Sequence, residues 1–137
     1  MGSPYDVHES SGSPLAIGEF RIQRERPRKG TVVLALQGDT DLYVATELRD
    51  HLTAAIDGGA SVLVVDLSGV TFIDSMGLGA LLGGMKRLQR SGGQFRLVVP
   101  PGEIRRVLEM TLLDRVFVLD LTREDALAPV AASDRGV

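Results

Sequence analysis

Two short segments of the sequence bring together the residue types that could do chemistry. One segment is Gly38–Asp39–Thr40–Asp41, and the other is Thr71–Phe72–Ile73–Asp74–Ser75–Met76–Gly77. Each follows an apolar run and precedes apolar residues at helical spacing, which predicts a loop between a strand and a helix. In a sheet of parallel strands, such loops lie at the carboxyl ends of the strands, where ligands and partner proteins bind.

The Ser75 segment lacks the motifs of enzymes that use a serine nucleophile or bind a nucleotide. A nucleophile elbow requires G-x-S-x-G, but position 73 is Ile. Neither His8, near the start of the chain, nor His51, within a predicted helix, is an obvious general base. The dinucleotide fingerprint would need glycine where Leu82 stands, and no Gly-Lys-Ser/Thr phosphate loop is present. We therefore predict a protein that is not an enzyme and has no cofactor.

The side chains of the two segments have simpler interpretations as well. Asp39, Asp41 and Asp74 could form a hard-cation site if the segments adjoin, because oxygen ligands suit magnesium. Solvated carboxylates that cap helices or contact a partner are the simpler explanation, and no metal is predicted. By spacing alone, Ser75 is most simply a helix N-cap, since serine and aspartate are both preferred there.

Hydrophobic periodicity predicts the elements that must position these segments. The predicted elements are a hairpin around Pro27–Gly30 with a strand at 31–36, a helix at 42–57, a strand at 61–67, a helix from about Ser75, a strand at 94–99, a helix after Pro100–Pro101 that includes Leu112, a strand at 115–119 and a helix from Thr122 to about Ala131. Strands joined through helices run parallel. The order ββαβαβαβα thus predicts an α/β fold, with a mixed sheet that has a mainly parallel core and about four helices.

Two glycine patterns add detail to these helices. The pair Gly58–Gly59 is expected to end the first helix in a left-handed turn. In the helix that begins near Ser75, Gly79 and Gly83 lie four residues apart and are expected to let that helix pack closely on the sheet. The core stripe of the same helix is predicted to be Leu78, Leu81, Leu82, Met85 and Leu88.

Composition limits the class of protein. A chain of 137 residues fits one domain, and it contains no cysteine that could form a disulfide or a thiolate metal site. The net charge of -3 argues against a nucleic-acid partner, and the one basic cluster, at 21–29, is interpreted as solvated surface. No apolar run approaches the roughly 20 residues that span a bilayer, so we predict a cytoplasmic protein with no membrane partner. Residues 1–14 are predicted to be a disordered tail, 15–132 the domain, and 133–137 a frayed end.

The sequence resembles the STAS domain family, which includes anti-sigma factor antagonists and the cytoplasmic tails of some anion transporters. The resemblance covers about residues 18–131 and is most specific in the middle segment. The matching segments are LQGDTDLYVATELRDHL, VVDLSGVTFIDSMGLGALLG, IRRVLEMTLLDRVF and REDALA. Val44 departs from the threonine that is frequent in the family, and Leu112 from its usual helix-ending glycine.

The resemblance implies a function for the Ser75 segment. In antagonists of this family, the serine of Asp-Ser-x-Gly-Leu is phosphorylated by the partner, an anti-sigma factor serine kinase, and is restored by a PP2C-type phosphatase. That serine corresponds to Ser75. The same resemblance and the charge that a phosphate would add lead us to expect partner contacts near it, at Asp39, Asp41, Asp74, Met76 and Gly77.

Two other functions stay open at the level of sequence. One is a STAS subunit of a signalling scaffold or lipid-transport complex, in which Ser75 is not used as a switch. The other is a module that binds a small molecule or nucleotide. Phosphorylation by a candidate kinase would distinguish the first from an antagonist, and a thermal shift with nucleotides would reveal the second.

Overall fold

A five-stranded mixed sheet organises the chain in the computed structural model, which describes residues 20–40 and 42–128. The elements are β1 (Phe20–Arg28), β2 (Thr31–Thr40), α1 (Leu42–Asp57), β3 (Val62–Ile73), α2 (Ser75–Arg90), β4 (Gln94–Val98), α3 (Glu103–Met110), a 3₁₀ turn (Leu113–Arg115), β5 (Val118–Asp120) and α4 (Arg123–Leu127). The predicted α/β order is therefore confirmed. The predicted tail at 1–14 and frayed end at 133–137 lie outside the described residues.

The first two strands form the predicted hairpin. They pair antiparallel through a tight turn in which Gly30 has a φ of 79°, a conformation that favours glycine. β1 also contains Pro27, which cannot donate to a ladder. The pairing shifts register between Glu25 and Arg28, and β1 is an edge strand, so the proline sits where a sheet tolerates it.

The other four strands are parallel and follow one another in the order β2-β3-β4-β5. Because crossovers between parallel strands are right-handed, this order places α1, α2 and α3 on the same face of the sheet. The main core lies between that face and the helices. Its fully buried side chains include Leu34, Leu48, Leu63, Leu81 and Leu108.

The packing of α2 differs from the prediction at its glycines. The predicted stripe is confirmed, with Leu81, Met85 and Leu88 buried and Leu78 and Leu82 packed against the core. Gly79 and Gly83, however, have open space where a side chain would be. The close contact is at Gly84, where an added Cβ would lie 3.0 Å from Leu52 Cδ1 on α1. These glycines therefore do not bring α2 onto the sheet.

β2 and β3 extend well beyond the predicted strand ends. The strand predicted at 61–67 continues through Ser68–Gly69 to Ile73, and the strand predicted at 31–36 continues to Thr40. The ladder bulges between Ala35 and Gln37, and an added Cβ at Gly69 would lie 2.7 Å from Gln37 Cγ. Glycine thus serves here for close strand approach within a bulge rather than for a turn. Most of the two predicted loops is consequently strand.

An ion-pair network centred on the buried Asp66 holds α4 on the other face of the sheet. Asp66, on β3, is only 8% exposed, and its Oδ2 accepts from Arg123 Nη2 at 2.9 Å. Its Oδ1 accepts from the backbone N–H of Ser68 at 2.9 Å. Arg123 Nη1 donates to Glu25 on β1 at 2.9 Å, which joins α4 to two strands. Ala126 then packs on three valines of this face, Val33, Val64 and Val98.

The segments around β5 and α4 are shorter than predicted. The helix after Pro100–Pro101 begins at Glu103, the strand predicted at 115–119 is a 3₁₀ turn followed by three strand residues, and β4 ends at Val98. Thr122, where the last helix was predicted to begin, caps α4, its hydroxyl accepting from the N–H of Asp125 at 3.1 Å. α4 nevertheless ends at Leu127, where Ala128 becomes extended. Similarly, only Gly59 of the Gly58–Gly59 pair takes a left-handed conformation after α1.

Leu112 has a strained backbone. It was expected on the apolar face of α3, but the helix ends at Met110 and Leu112 has a φ of 62° and a ψ of 16°. It is the single non-glycine residue with positive φ within 20–40 and 42–128. An L-residue in this left-handed region costs about 1–2 kcal/mol. The structure therefore requires glycine-like geometry where the sequence has leucine.

Removing Arg123 should destabilise the domain, because it leaves the buried Asp66 carboxylate without its counter-ion. Arg123→Ala is expected to lower the free energy of unfolding by about 2 kcal/mol, below the usual buried-pair cost because Ser68 still donates to Asp66. Arg106→Ala is the control, since it breaks only the exposed pair with Glu103 and should cost less than about 0.5 kcal/mol. Urea unfolding measures both, and equal losses would contradict the importance of the network.

Replacing Leu112 with glycine should stabilise the domain. The side chain is 55% exposed, so Leu112→Gly loses little burial and removes the left-handed penalty. Partly offset by the extra freedom of glycine in the unfolded chain, the gain is expected to be up to about 1 kcal/mol. Leu112→Ala keeps a Cβ and should give no gain. Thermal unfolding of both variants tests this, and a gain with alanine would show that strain is not the cause.

Candidate functional site

Ser75 lies at the start of α2, immediately beyond the carboxyl end of β3. Ile73, the last strand residue, is buried in the main core, and Asp74 is extended with a φ of -101°. Ser75 is then the first helical residue, and it is exposed. The core thus anchors the backbone on both sides of a hydroxyl that faces solvent.

Asp74, and not Ser75, caps the helix. Its Oδ1 accepts from the backbone N–H of Gly77 at 2.9 Å, and its carbonyl accepts from the N–H of Leu78 at 3.0 Å. The sequence expectation that Ser75 serves as N-cap is therefore wrong by one residue. Gly77 is buried and takes part through this backbone contact. Because Asp74 caps the helix, the Ser75 hydroxyl is not needed as the N-cap of α2.

The Gly38–Asp39–Thr40 segment is paired strand beside the end of β3 that leads to Ser75. Asp39 is the Cα partner of Phe72, and Thr40 that of Ile73. Gly38, with a φ of 100°, sits at the register shift that precedes these pairs. The backbone of Asp39 is thus on the strand adjacent to the approach to Asp74, whereas Asp41 lies outside the described residues.

Exposed apolar and bare surface surrounds Ser75. Phe72 is 54% exposed and Met76 is 43% exposed, in agreement with the position of Met76 off the core stripe. Gly79 and Gly83 continue along the same side of α2 with nothing within 4 Å of an added Cβ. The sequence analysis did not predict this exposed surface of α2. Helical spacing could have revealed it, because positions 79 and 83 follow Ser75 at intervals of four and therefore lie on the same side of the helix.

Few charged side chains of α2 lie near Ser75, so an anion placed on Ser75 would interact mainly with the start of the helix. Residues 75–85 of α2 contain no charged side chain, and the first cations are Lys86, Arg87 and Arg90. At 1.5 Å per residue, Lys86 is about 16 Å from Ser75 along the helix axis. The helix start offers backbone N–H groups without helical acceptors and the positive end of the helix dipole. An anion on Ser75 would thus meet amides and the Asp74 carboxylate, but no nearby basic side chain of α2.

Comparison with known proteins defines the class. The family model of the STAS domain matches residues 24–126, so the chain belongs to the STAS domain family. An anti-sigma F factor antagonist of Lysinibacillus sphaericus is 32% identical over 109 residues, which is 79% of this chain and 92% of that protein.

Solved structures agree with this assignment. The crystal structure of an anti-sigma factor antagonist from Mycobacterium paratuberculosis has a TM-score of 0.74 and 31% identity, covering 82% of this chain and 94% of that one. The Bacillus cell fate determinant SpoIIAA in its phosphorylated form has a TM-score of 0.62 and 28% identity, covering 77% and 96%. Among helices of the described ranges, none has the length and hydrophobicity to cross a membrane.

Removing the Asp74 cap should weaken the start of α2. Asp74→Ala is expected to lower the free energy of unfolding by about 0.5–2 kcal/mol, because the N–H of Gly77 loses its acceptor. Asp74→Asn keeps a side-chain oxygen and should retain most of the stability. Ser75→Ala should be nearly neutral. Chemical unfolding of the three variants measures this, and a larger loss for Ser75→Ala than for Asp74→Ala would contradict the cap assignment.

Proposed function

We propose that this chain is a cytoplasmic anti-sigma factor antagonist, which binds an anti-sigma factor with serine kinase activity and is released when Ser75 is phosphorylated. The observation that carries the proposal is the exposed Ser75 hydroxyl, free of capping duty and bordered by exposed Phe72 and Met76. Relatives named as antagonists, and the existence of SpoIIAA structures in unphosphorylated and phosphorylated forms, support the same function. We propose no enzymatic turnover by the chain itself.

The local geometry suits binding in the unmodified state. Phe72 and Met76 offer apolar contact, and the bare surface at Gly79 and Gly83 allows a partner backbone to approach α2. Apolar side chains of this size are the type that contributes most to binding when it becomes buried at an interface. Asp74 places a carboxylate at the margin of this surface, where it contributes to partner choice, and the backbone of Asp39 lies on the neighbouring strand.

Phosphorylation would change this surface without unfolding the domain. The kinase would transfer the γ-phosphoryl group of ATP to Ser75 Oγ, with release of ADP and a proton, and add about -1.5 to -2 charges beside Asp74. The helix start stabilises an anion by about 0.3–1 kcal/mol, so the fold tolerates the phosphate. Opposite an apolar interface, a penalty of about 3 kcal/mol would weaken binding about a hundredfold. A PP2C-type phosphatase would restore the binding form.

Phosphorylation is tested with the anti-sigma factor that copurifies from the native cell. Incubation with this protein and ATP should add one phosphate to the chain by intact-mass measurement, and Ser75→Ala should abolish the gain. Ser91→Ala is the matched control, because Ser91 is an exposed serine at the other end of the same helix. Loss of phosphorylation in the Ser91 variant, or its persistence in the Ser75 variant, would reject Ser75 as the acceptor.

Binding is tested by calorimetric titration of the same anti-sigma factor with three forms of the chain. The unmodified protein and Ser75→Ala should bind with similar affinity, and the Ser75-phosphorylated protein should bind about a hundredfold more weakly. Equal affinities for all three would remove the switch. That result would favour a STAS subunit of a signalling scaffold or lipid-transport complex.

A further inference from the structure

A cleft of about 460 Å³ lies where the turn between β1 and β2 meets the end of α1. This cleft, here called the hairpin cleft, is lined by the turn on one side and by the end of α1 and the segment that joins it to β3 on the other. Its volume falls within the range of about 300–1,000 Å³ that is typical of small-molecule sites. The hairpin cleft is therefore large enough for a small organic ligand.

The hairpin cleft is remote from the candidate site. The turn that lines it precedes the amino end of β2, whereas Ser75 follows the carboxyl end of β3. Because β2 and β3 are parallel, these two positions lie at opposite ends of the two strands. A ligand in the cleft can therefore be bound at the same time as a partner at the surface around Ser75.

The charged side chains that line the hairpin cleft are all basic. They are Arg26, Arg28 and Lys29, which belong to the basic cluster at 21–29. Asp57, which directly precedes the cleft in the chain, is not a lining residue and instead pairs with Arg87 on α2. A concave surface lined by charge of one sign raises the local concentration of the opposite charge, so the cleft favours an anion.

Two of the three cations are not used by the fold. Arg28 donates to the carbonyl of Leu127 and so holds the end of α4. Within residues 20–40 and 42–128, Arg26 and Lys29 have neither a hydrogen-bond partner nor an ion-pair partner for their side chains, and both are exposed. These two cations are therefore available to a ligand.

The end of α1 does not require these cations as capping groups. Basic side chains can donate to the last carbonyls of a helix. Here the carbonyls of residues 54–56 already accept from the backbone N–H groups of Gly58, Gly59 and Ala60. Helix capping therefore does not explain why Arg26 and Lys29 line the cleft.

Small residues keep the hairpin cleft open. Five of its lining residues are glycine or alanine, namely Gly30, Ala55, Gly58, Gly59 and Ala60. At Gly59, which has a φ of 96°, an added Cβ would meet nothing within 4 Å. The walls thus leave room beside the basic side chains for the organic part of a ligand.

We propose that the hairpin cleft binds a phosphate ester, with Arg26 and Lys29 in contact with the phosphate. The guanidinium group of arginine can donate to two phosphate oxygens at once, and the lysine ammonium binds phosphate as a point charge. A phosphate monoester carries about -1.5 to -2 charges near neutral pH, so it suits two cations better than a carboxylate does. The organic part of the ester would contact the small residues of the walls.

Isothermal titration calorimetry of the full chain tests this proposal. Inorganic pyrophosphate and ADP should each bind at a single site, and adenosine, which lacks phosphate, should not bind measurably. Affinity for pyrophosphate should fall as salt is added, because the contacting cations are exposed. Cosedimentation with vesicles that contain phosphatidic acid, compared with vesicles of phosphatidylcholine alone, distinguishes a lipid headgroup from a soluble ester.

Charge reversal assigns the binding to the cleft. Arg26→Glu and Lys29→Glu should each weaken pyrophosphate binding by about tenfold or more, and Lys29→Gln should have a smaller effect in the same direction. Lys86→Glu is the matched control, because Lys86 is an exposed cation of α2 that does not line the cleft. The control makes the same change in net charge and should alter the affinity by less than about twofold. Thermal unfolding verifies that every variant is folded.

Three results would overturn the proposal. They are a lack of binding to pyrophosphate, ADP and phosphatidic acid vesicles alike, binding of adenosine as tight as that of ADP, and an equal loss of affinity in Lys86→Glu. The last result would indicate general charge attraction without a site. Phosphorylation of Ser75 should leave the affinity of the cleft unchanged, so failure of the Ser75 switch and failure of the cleft are distinguished by separate measurements.

Discussion

The close approach of β2 and β3 is the constraint on which the rest of the structure depends. Gly69 has no room for a side chain against Gln37, and this contact lets β3 bulge and continue instead of ending. The added residues carry the strand to Ile73, which is buried, and deliver Asp74 at the end of the sheet. α2 then begins at Ser75, directly after its cap Asp74.

The two faces of the sheet are stabilised by different means. One face is covered by three helices over a continuous apolar core, and the other by the short α4 on three valines. So small an apolar contact cannot alone compensate for the conformational entropy of ordering α4. The ion pairs from Arg123 to Asp66 and Glu25 add to this apolar contact, and they fix the position of α4 against β3 and β1.

The sequence allowed the order of elements and the position of Ser75 at a helix start after a strand to be predicted, because both depend on local periodicity. Boundaries failed where tertiary contacts override local preference. Ser68–Gly69 has the composition of a turn, and pairing with β2 makes it a bulge. The cap at Asp74 instead of Ser75 is a one-residue difference that propensity does not resolve. The role of Gly84 was invisible, because it depends on Leu52 of another helix.

The absence of charged side chains from residues 75–85 determines how far a signal at Ser75 can travel. At physiological ionic strength an exposed charge is screened over about 8 Å, whereas α2 with its 16 residues is about 24 Å long. A phosphate would therefore be sensed at one tip of the domain and would be invisible at the other. The proposed phosphate on Ser75 would therefore act as a local charge, and the surface beyond its reach would be free to diverge without disturbing it.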